Sequence, residues 1–68
     1  NIMYYLLTMK FRIPELREKL LATGEEPLIE GNDWGDTYWG VCRGLGENKL
    51  GNLLMQVRTE IQMEKGLT

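Results

Sequence analysis

Asp33 and Asp36 stand among three large aromatics, Trp34, Tyr38 and Trp39, in the stretch GNDWGDTYWGVCRGLGENKLG, Gly31–Gly51. A carboxylate held beside indole and phenol rings is partly desolvated, which suits general acid or base work. It can also hold a ribose hydroxyl or stabilise an oxocarbenium-like centre, as acids do in glycoside cleavage. Glu30, just upstream, is a third acid of the same kind. The plainer reading is that an Asp in a glycine-rich loop caps a turn or is simply solvated. The rings can stack on a flat heterocycle, or pack the loop onto the rest of the fold. If the segment from Thr37 to Gly40 is extended, Tyr38 and Trp39 point to opposite sides, because strand side chains alternate.

Two further features could carry chemistry. GLGENKLG, Gly44–Gly51, is a glycine-rich turn feeding a helix start, and unpaired N–H groups at such a start can bind an anion such as a substrate phosphate. It lacks the Gly-Lys-Ser/Thr ending of a P-loop and the strand–turn–helix setting of a dinucleotide fingerprint. Its plainer reading is a turn, with Gly51 allowing close approach of a neighbour. Lys10 ends an apolar segment. A lysine in apolar surroundings can serve as a nucleophile toward an anomeric or carbonyl carbon, whereas by default it is a snorkelling surface residue. Cys42 reads as a small filler, since there is no histidine to activate it.

Elements of limited variety must position these residues. The chain has 68 residues and a net charge of −2, enough for one domain near the lower size limit of an independent core. Acids and bases are mixed along both halves, so no basic face suggests duplex nucleic acid held by its phosphates. One cysteine and no histidine exclude an internal disulfide, zinc fingers and His-based triads. No metal or cofactor is expected. The opening NIMYYLLTM is too short to span a bilayer and lacks the features of a signal peptide.

The spacing predicts three helices. The first runs from Ile2 to about Met9 and is apolar all round, which calls for burial on several sides. Its Tyr4–Leu7 region is expected to form an exposed patch in the chain by itself. The second starts at Pro14, a residue suited to the first helical position, and stops at Gly24. Ile13, Leu16 and Leu20 are expected on its buried face, with Leu21 beside it. The third follows Asn48, a good N-cap. It places Leu50, Leu53, Leu54, Val57 and Ile61 on one face and Asn52, Gln56, Arg58, Thr59 and Glu60 on the polar one. Between them, Leu28–Ile29 and Tyr38–Cys42 are strand candidates. The expected fold class is α+β and mostly helical, with three helices and a short extended or hairpin-like middle segment.

Taken together, MKF, PELREKLLATGEEPLIE, DTYWG and GLGENKLGNLLMQVR resemble the NADAR family, also called YbiA-like. Four ordered motifs at compatible spacing cover almost the whole chain. The resemblance implies that residues 1–68 are the carboxyl-terminal half of such a domain, and the start at Asn1 fits a piece of something longer. It implies an N-glycosidase-type hydrolase, acting on ribosyl-phosphate or ADP-ribosyl substrates such as riboflavin intermediates or ADP-ribosylated nucleobases, with ADP-ribosylated nucleic acid among the partners. By that analogy Asp36 polarises or orients the ribose or leaving group. Trp39 packs beside the substrate, Lys10 attacks or holds the ribose carbon, and Glu30 joins the site. Gly46, Asn48 and Gly51 would shape the turn, Gly46 and Asn48 on the substrate side, and Arg58 would lie on the last helix. A cytoplasmic location is expected, with no membrane partner. So is a need for the missing amino-terminal half or for self-association. The alternative is a non-catalytic nucleotide-binding or protein-interaction module. Activity of the full domain on an ADP-ribosylated base separates the two.

Overall fold

The computed structural model describes residues 1–66. Three helices, α1 (Ile2–Lys10), α2 (Pro14–Ala22) and α3 (Lys49–Gly66), accompany a minimal parallel sheet of β1 (Gly31–Asn32) and β2 (Val41–Cys42). The α+β class and the three helices follow the sequence expectation.

Local signals set the first two helices. The Asn1 side chain accepts from the Met3 and Tyr4 N–H groups and caps α1. Pro14 opens α2, and Gly24, with a φ of +62°, turns the chain just beyond its end. Ile13 departs from expectation. It is 52% exposed and takes an extended conformation ahead of Pro14, because a residue before proline is pushed out of the helical region. Helical spacing therefore does not apply to it, and the buried residue of α2 is Leu20.

The core is small: Leu7, Leu20, Val57 and Ile61 are buried, with Leu28, Leu50, Leu53 and Leu54 among the half-buried residues packed on them. α3 thus presents the expected apolar face, with one correction. Arg58, placed on the polar face by its charge, is only 5% exposed. Its Nη1 donates to Thr23 Oγ1 and to the Glu26 carbonyl, both at 2.8 Å. Gln62 Nε2 donates to the Gly24 carbonyl at 3.1 Å. Two polar side chains of α3 therefore fasten the turn after α2, where carbonyls have left the helical ladder. Arg58→Ala removes both charge-assisted bonds and should destabilise the fold by about 2 kcal/mol, read as a shift in the denaturant midpoint. A loss below about 0.5 kcal/mol, the scale of a neutral surface change, would show that the turn holds itself.

α1 lies beside α3 and runs in the same direction. Asn1 shares a cleft with Leu53 and Gln56, the Tyr4 hydroxyl donates to Glu60 Oε1 at 2.6 Å, and Phe11 shares a cavity with Ile61 and Glu64. The Glu60 hydrogen bond, then lost hydration and the carboxylate's charge, raise the Tyr4 phenol pKa above its ordinary value. Of the expected Tyr4–Leu7 patch, Leu7 is buried and Tyr4 half-buried. The exposed stripe consists of Ile2, Tyr5, Leu6 and Met9, which share one helical face.

The middle segment is short and extended, as expected, and it corrects the strand positions. The strands pair in parallel, Gly31 with Val41 and Asn32 with Cys42. Leu28–Ile29 is not a strand because its neighbours' backbone groups are occupied elsewhere. The Leu28 N–H donates to Met55 Sδ at 3.4 Å, and the Asn48 amide takes the Leu28 carbonyl and the Glu30 N–H, each at 2.9 Å. Of Tyr38–Cys42, only Val41 and Cys42 form a strand, since the carbonyls before them face α3. The one tight reversal is at Arg43-Gly44, where both residues have positive φ (52° and 82°) and Cys42 and Leu45 exchange backbone hydrogen bonds, as a type I′ turn requires.

Candidate functional site

Four consecutive carbonyls build the loop onto α3. Those of Thr37, Tyr38, Trp39 and Gly40 accept from the N–H groups of Glu47, Lys49, Leu50 and Asn48, at 2.7, 3.1, 2.8 and 3.2 Å. The first N–H groups of α3 are therefore satisfied by the chain itself. The expectation that this helix start offers them to a phosphate is corrected for Lys49 and Leu50. Asn48 also does not cap the helix with its side chain, which is spent on Leu28 and Glu30. It takes a φ of +53°, a left-handed conformation that Asn tolerates better than most residues.

Asp36 directs the aromatic pair. Its Oδ1 accepts from the Tyr38 N–H at 3.1 Å and the Trp39 N–H at 2.9 Å. The Asn32 side chain holds Asp36 in turn, donating to its carbonyl at 2.9 Å and accepting from its N–H at 3.0 Å. Because residues 37–40 curve to aim their carbonyls at α3, Tyr38 and Trp39 do not alternate. Their rings meet edge to face, centroids 5.0 Å apart and planes at 90°, and both line one cleft. The expectation of opposite directions is corrected by that curvature.

The cleft holds about 330 Å³, with Tyr38 and Trp39 facing Lys49, Asn52, Leu53 and Gln56 of α3, and Asn1 at its edge. Lys49 Nζ lies 5.5 Å from the centre of the Tyr38 ring and 3.8 Å from Glu47 Oε1. Asn52 and Gln56, expected on the polar face of the last helix, are exposed there and line this cleft together with Lys49. Their spacing of three and four residues was the available signal, since it lines side chains along one helical edge.

The other expected site residues lie apart to different degrees. Glu30 is exposed; its carbonyl accepts from Val41 N–H at 2.8 Å, so its backbone borders the same loop. Its carboxylate takes no hydrogen bond among the described residues. Lys10 is exposed beside the Phe11 ring, 5.7 Å from its centre. Asn1 lines the cleft, and Lys10 follows nine residues later along α1, roughly 14 Å away at helical rise. The structure thus does not bring Lys10 to Trp39. Trp34 projects into solvent, 78% exposed.

The glycines are fixed by space. A Cβ on Gly40 would strike the Glu30 carbonyl oxygen, and one on Gly46 the Gly40 carbonyl oxygen. Gly46, expected on the substrate side, has internal work: with a φ of +146° it closes the loop on itself. A second cavity, of about 280 Å³, lies at the other end of α3 between Phe11, Arg12 and Arg17 on one side and Val57, Ile61 and Glu64 on the other. Among the described residues, no His/Cys/Asp/Glu cluster could hold a metal ion, and no helix is long and apolar enough to cross a membrane.

The chain is 46% identical over 52 residues to the N-glycosidase YbiA of Escherichia coli strain K12, covering 75% of this chain and 32% of that protein. It is 46% identical over 55 residues to an N-glycosidase of Nostoc punctiforme, covering 79% and 35%. It is 43% identical over 63 residues to the chloroplastic riboflavin biosynthesis protein PYRR of Zea mays, covering 90% and 10%. The matched region thus spans about a third of the bacterial relatives. No solved structure matches the chain. The sequence model of the NADAR domain matches residues 1–62, from the capping Asn1 to Gln62 at the α2 turn, and the chain belongs to the NADAR domain family.

Proposed function

We propose that this chain contributes the aromatic wall and two carboxylates of an N-glycosidase site, which cleaves the base–ribose bond of a ribosyl-phosphate or ADP-ribosyl substrate. The observation that carries the reading is the Asp36–Tyr38–Trp39 unit: one carboxylate fixes two rings that share a cleft. Its setting in a family whose bacterial relatives are named N-glycosidases supports it. Cleavage of such a bond passes through an oxocarbenium-like centre, which a nearby carboxylate stabilises. In this reading Trp39 packs against the sugar or base and Asp36 orients the ribose. Glu30, on the segment bonded to β2, is the second acid. Lys10, at the far end of α1, takes no part in this cleft.

The Zea mays relative is named for riboflavin biosynthesis, which favours a small phosphorylated ribosyl compound over an ADP-ribosylated nucleic acid. The exposed stripe Ile2, Tyr5, Leu6 and Met9 is where further polypeptide would pack to complete the site. The same stripe also favours the second reading, a non-catalytic interaction module.

A chimera tests the choice. Residues 1–62 replace the aligned segment of the Escherichia coli N-glycosidase YbiA, and release of free base from ribosyl-phosphate and ADP-ribosyl compounds is followed by chromatography. Base release within about tenfold of the parent is expected, since the site's aromatic and acidic parts are retained. A folded chimera that releases no base would sink the glycosidase reading and leave the interaction module.

A further inference from the structure

We propose that the second cavity, at the opposite end of α3 from the aromatic cleft, is a ligand site of its own. It takes a small zwitterion, a free α-amino acid with an apolar side chain. The proposal is independent of the N-glycosidase reading.

The charges around this cavity are the first argument. Arg12, in the turn between α1 and α2, and Arg17, on α2, face Glu60 and Glu64 of α3. The Arg12 backbone is set by its N–H, which donates to the Met9 carbonyl at 3.2 Å. Among the described residues neither arginine side chain forms an ion pair or a hydrogen bond, and nor does that of Glu64. Two guanidiniums and two carboxylates thus surround about 280 Å³ of space without neutralising one another. Glu60 and Glu64 also stand four residues apart on one helix, where like charges destabilise each other. The empty cavity therefore leaves both signs of charge unsatisfied.

That arrangement selects its ligand. A plain anion is attracted by the arginines and repelled by the glutamates, and a plain cation the reverse. A ligand carrying both charges satisfies both sides. The guanidinium fork matches a carboxylate with two parallel hydrogen bonds, and an ammonium has three donors to share between carboxylates. Glu60 is already oriented, because its Oε1 accepts from the Tyr4 hydroxyl at 2.6 Å. Its other oxygen and both of Glu64 are left as acceptors. Direct closure of the arginines on the glutamates is the competing event, and exposed pairs of that kind are weak.

The apolar lining and the size narrow the class further. Phe11 and the buried Ile61 line the cavity between the charged groups, so an aliphatic side chain on the ligand loses water as it binds. The volume stands just below the usual range of ligand sites, which suits a single amino acid and not a peptide or a nucleotide.

The test titrates the chain with leucine and three analogues. 4-Methylpentanoate lacks the ammonium, 3-methylbutylamine lacks the carboxylate, and 6-aminohexanoate holds the two charges far apart. Chemical shifts of the Ile61 methyls and the Phe11 ring are the readout. Leucine should move both sets of signals and bind about tenfold or more tightly than any analogue, the worth of one charge-assisted contact. Arg17→Gln should weaken leucine and 4-methylpentanoate by about tenfold and spare the amine. Glu64→Gln should weaken leucine and the amine and spare 4-methylpentanoate. Neither side chain has a partner to lose, and the comparison of probes on the unaltered chain needs no variant. Equal affinity for the four probes, tighter binding of 6-aminohexanoate, shifts that avoid Phe11 and Ile61, or variants that weaken every probe alike would each overturn the site.

Discussion

Asp36→Asn, introduced into the chimera that carries residues 1–62, should lower turnover by about 100-fold or more, the scale of one acid–base or charge-stabilising contribution, with little change in stability. The reason lies in the two separate uses of this carboxylate. Oδ1 accepts from the Tyr38 and Trp39 N–H groups, and an Asn oxygen can accept the same two bonds. The backbone of residue 36 is held independently by the Asn32 side chain. The loop should therefore keep its shape while the negative charge disappears. Asp36→Ala is the contrasting variant. It removes the acceptor as well, frees two N–H groups, and should cost about 2 kcal/mol of stability in addition to the activity. If Asp36→Asn turns over almost as fast as the parent while Asp36→Ala fails to fold, the carboxylate is a turn-forming device only. The proposed chemistry would then have to come from Glu30 or from outside this chain.

Gly51→Ala should destabilise the fold by about 3 kcal/mol, a sign opposite to that usual for a helix. An exposed helical Gly gains about 0.5–1 kcal/mol on becoming Ala, because alanine restricts the unfolded chain. Gly51 is buried in the first turn of α3, and a Cβ there would overlap the Leu28 carbonyl oxygen and both polar atoms of the Asn48 amide. The helix would have to retreat from residues 28–30, with overpacking costs of about 1–3 kcal/mol. It would also lose the two bonds from Asn48 to Leu28 and Glu30, each worth about 1 kcal/mol. Denaturant unfolding of the two proteins is the measurement. A neutral or stabilised Gly51→Ala would mean that α3 does not lie as close to the Leu28–Glu30 segment as the structure places it, and Asn48 would lose its role as the clamp.

Asn1, Pro14 and Gly24 show what the sequence by itself determined. The first helix, the second helix with both its limits, and the apolar face of the third all follow from interactions within a few residues. These are a proline's fixed φ, a glycine's left-handed freedom and the 3.6-residue period. The residues of the aromatic loop were legible as a candidate site because their types are unusual for a linker, and the family motifs were legible for the same reason. The tertiary structure alone decided how those residues are used. It turned Tyr38 and Trp39 to one side, because four carbonyls beside them bond the start of α3. The same bonds occupied the Lys49 and Leu50 N–H groups at that helix start. It moved the paired strands to Gly31–Asn32 and Val41–Cys42, since Asn48 and Met55 claim the backbone around Leu28. It buried Arg58 under the α2 turn and left Lys10 at the end of α1 away from the cleft. For the loop, the strands and Arg58 the deciding partner stands more than seven residues away in sequence, and which distant group satisfies a backbone N–H or carbonyl is not written in any local pattern.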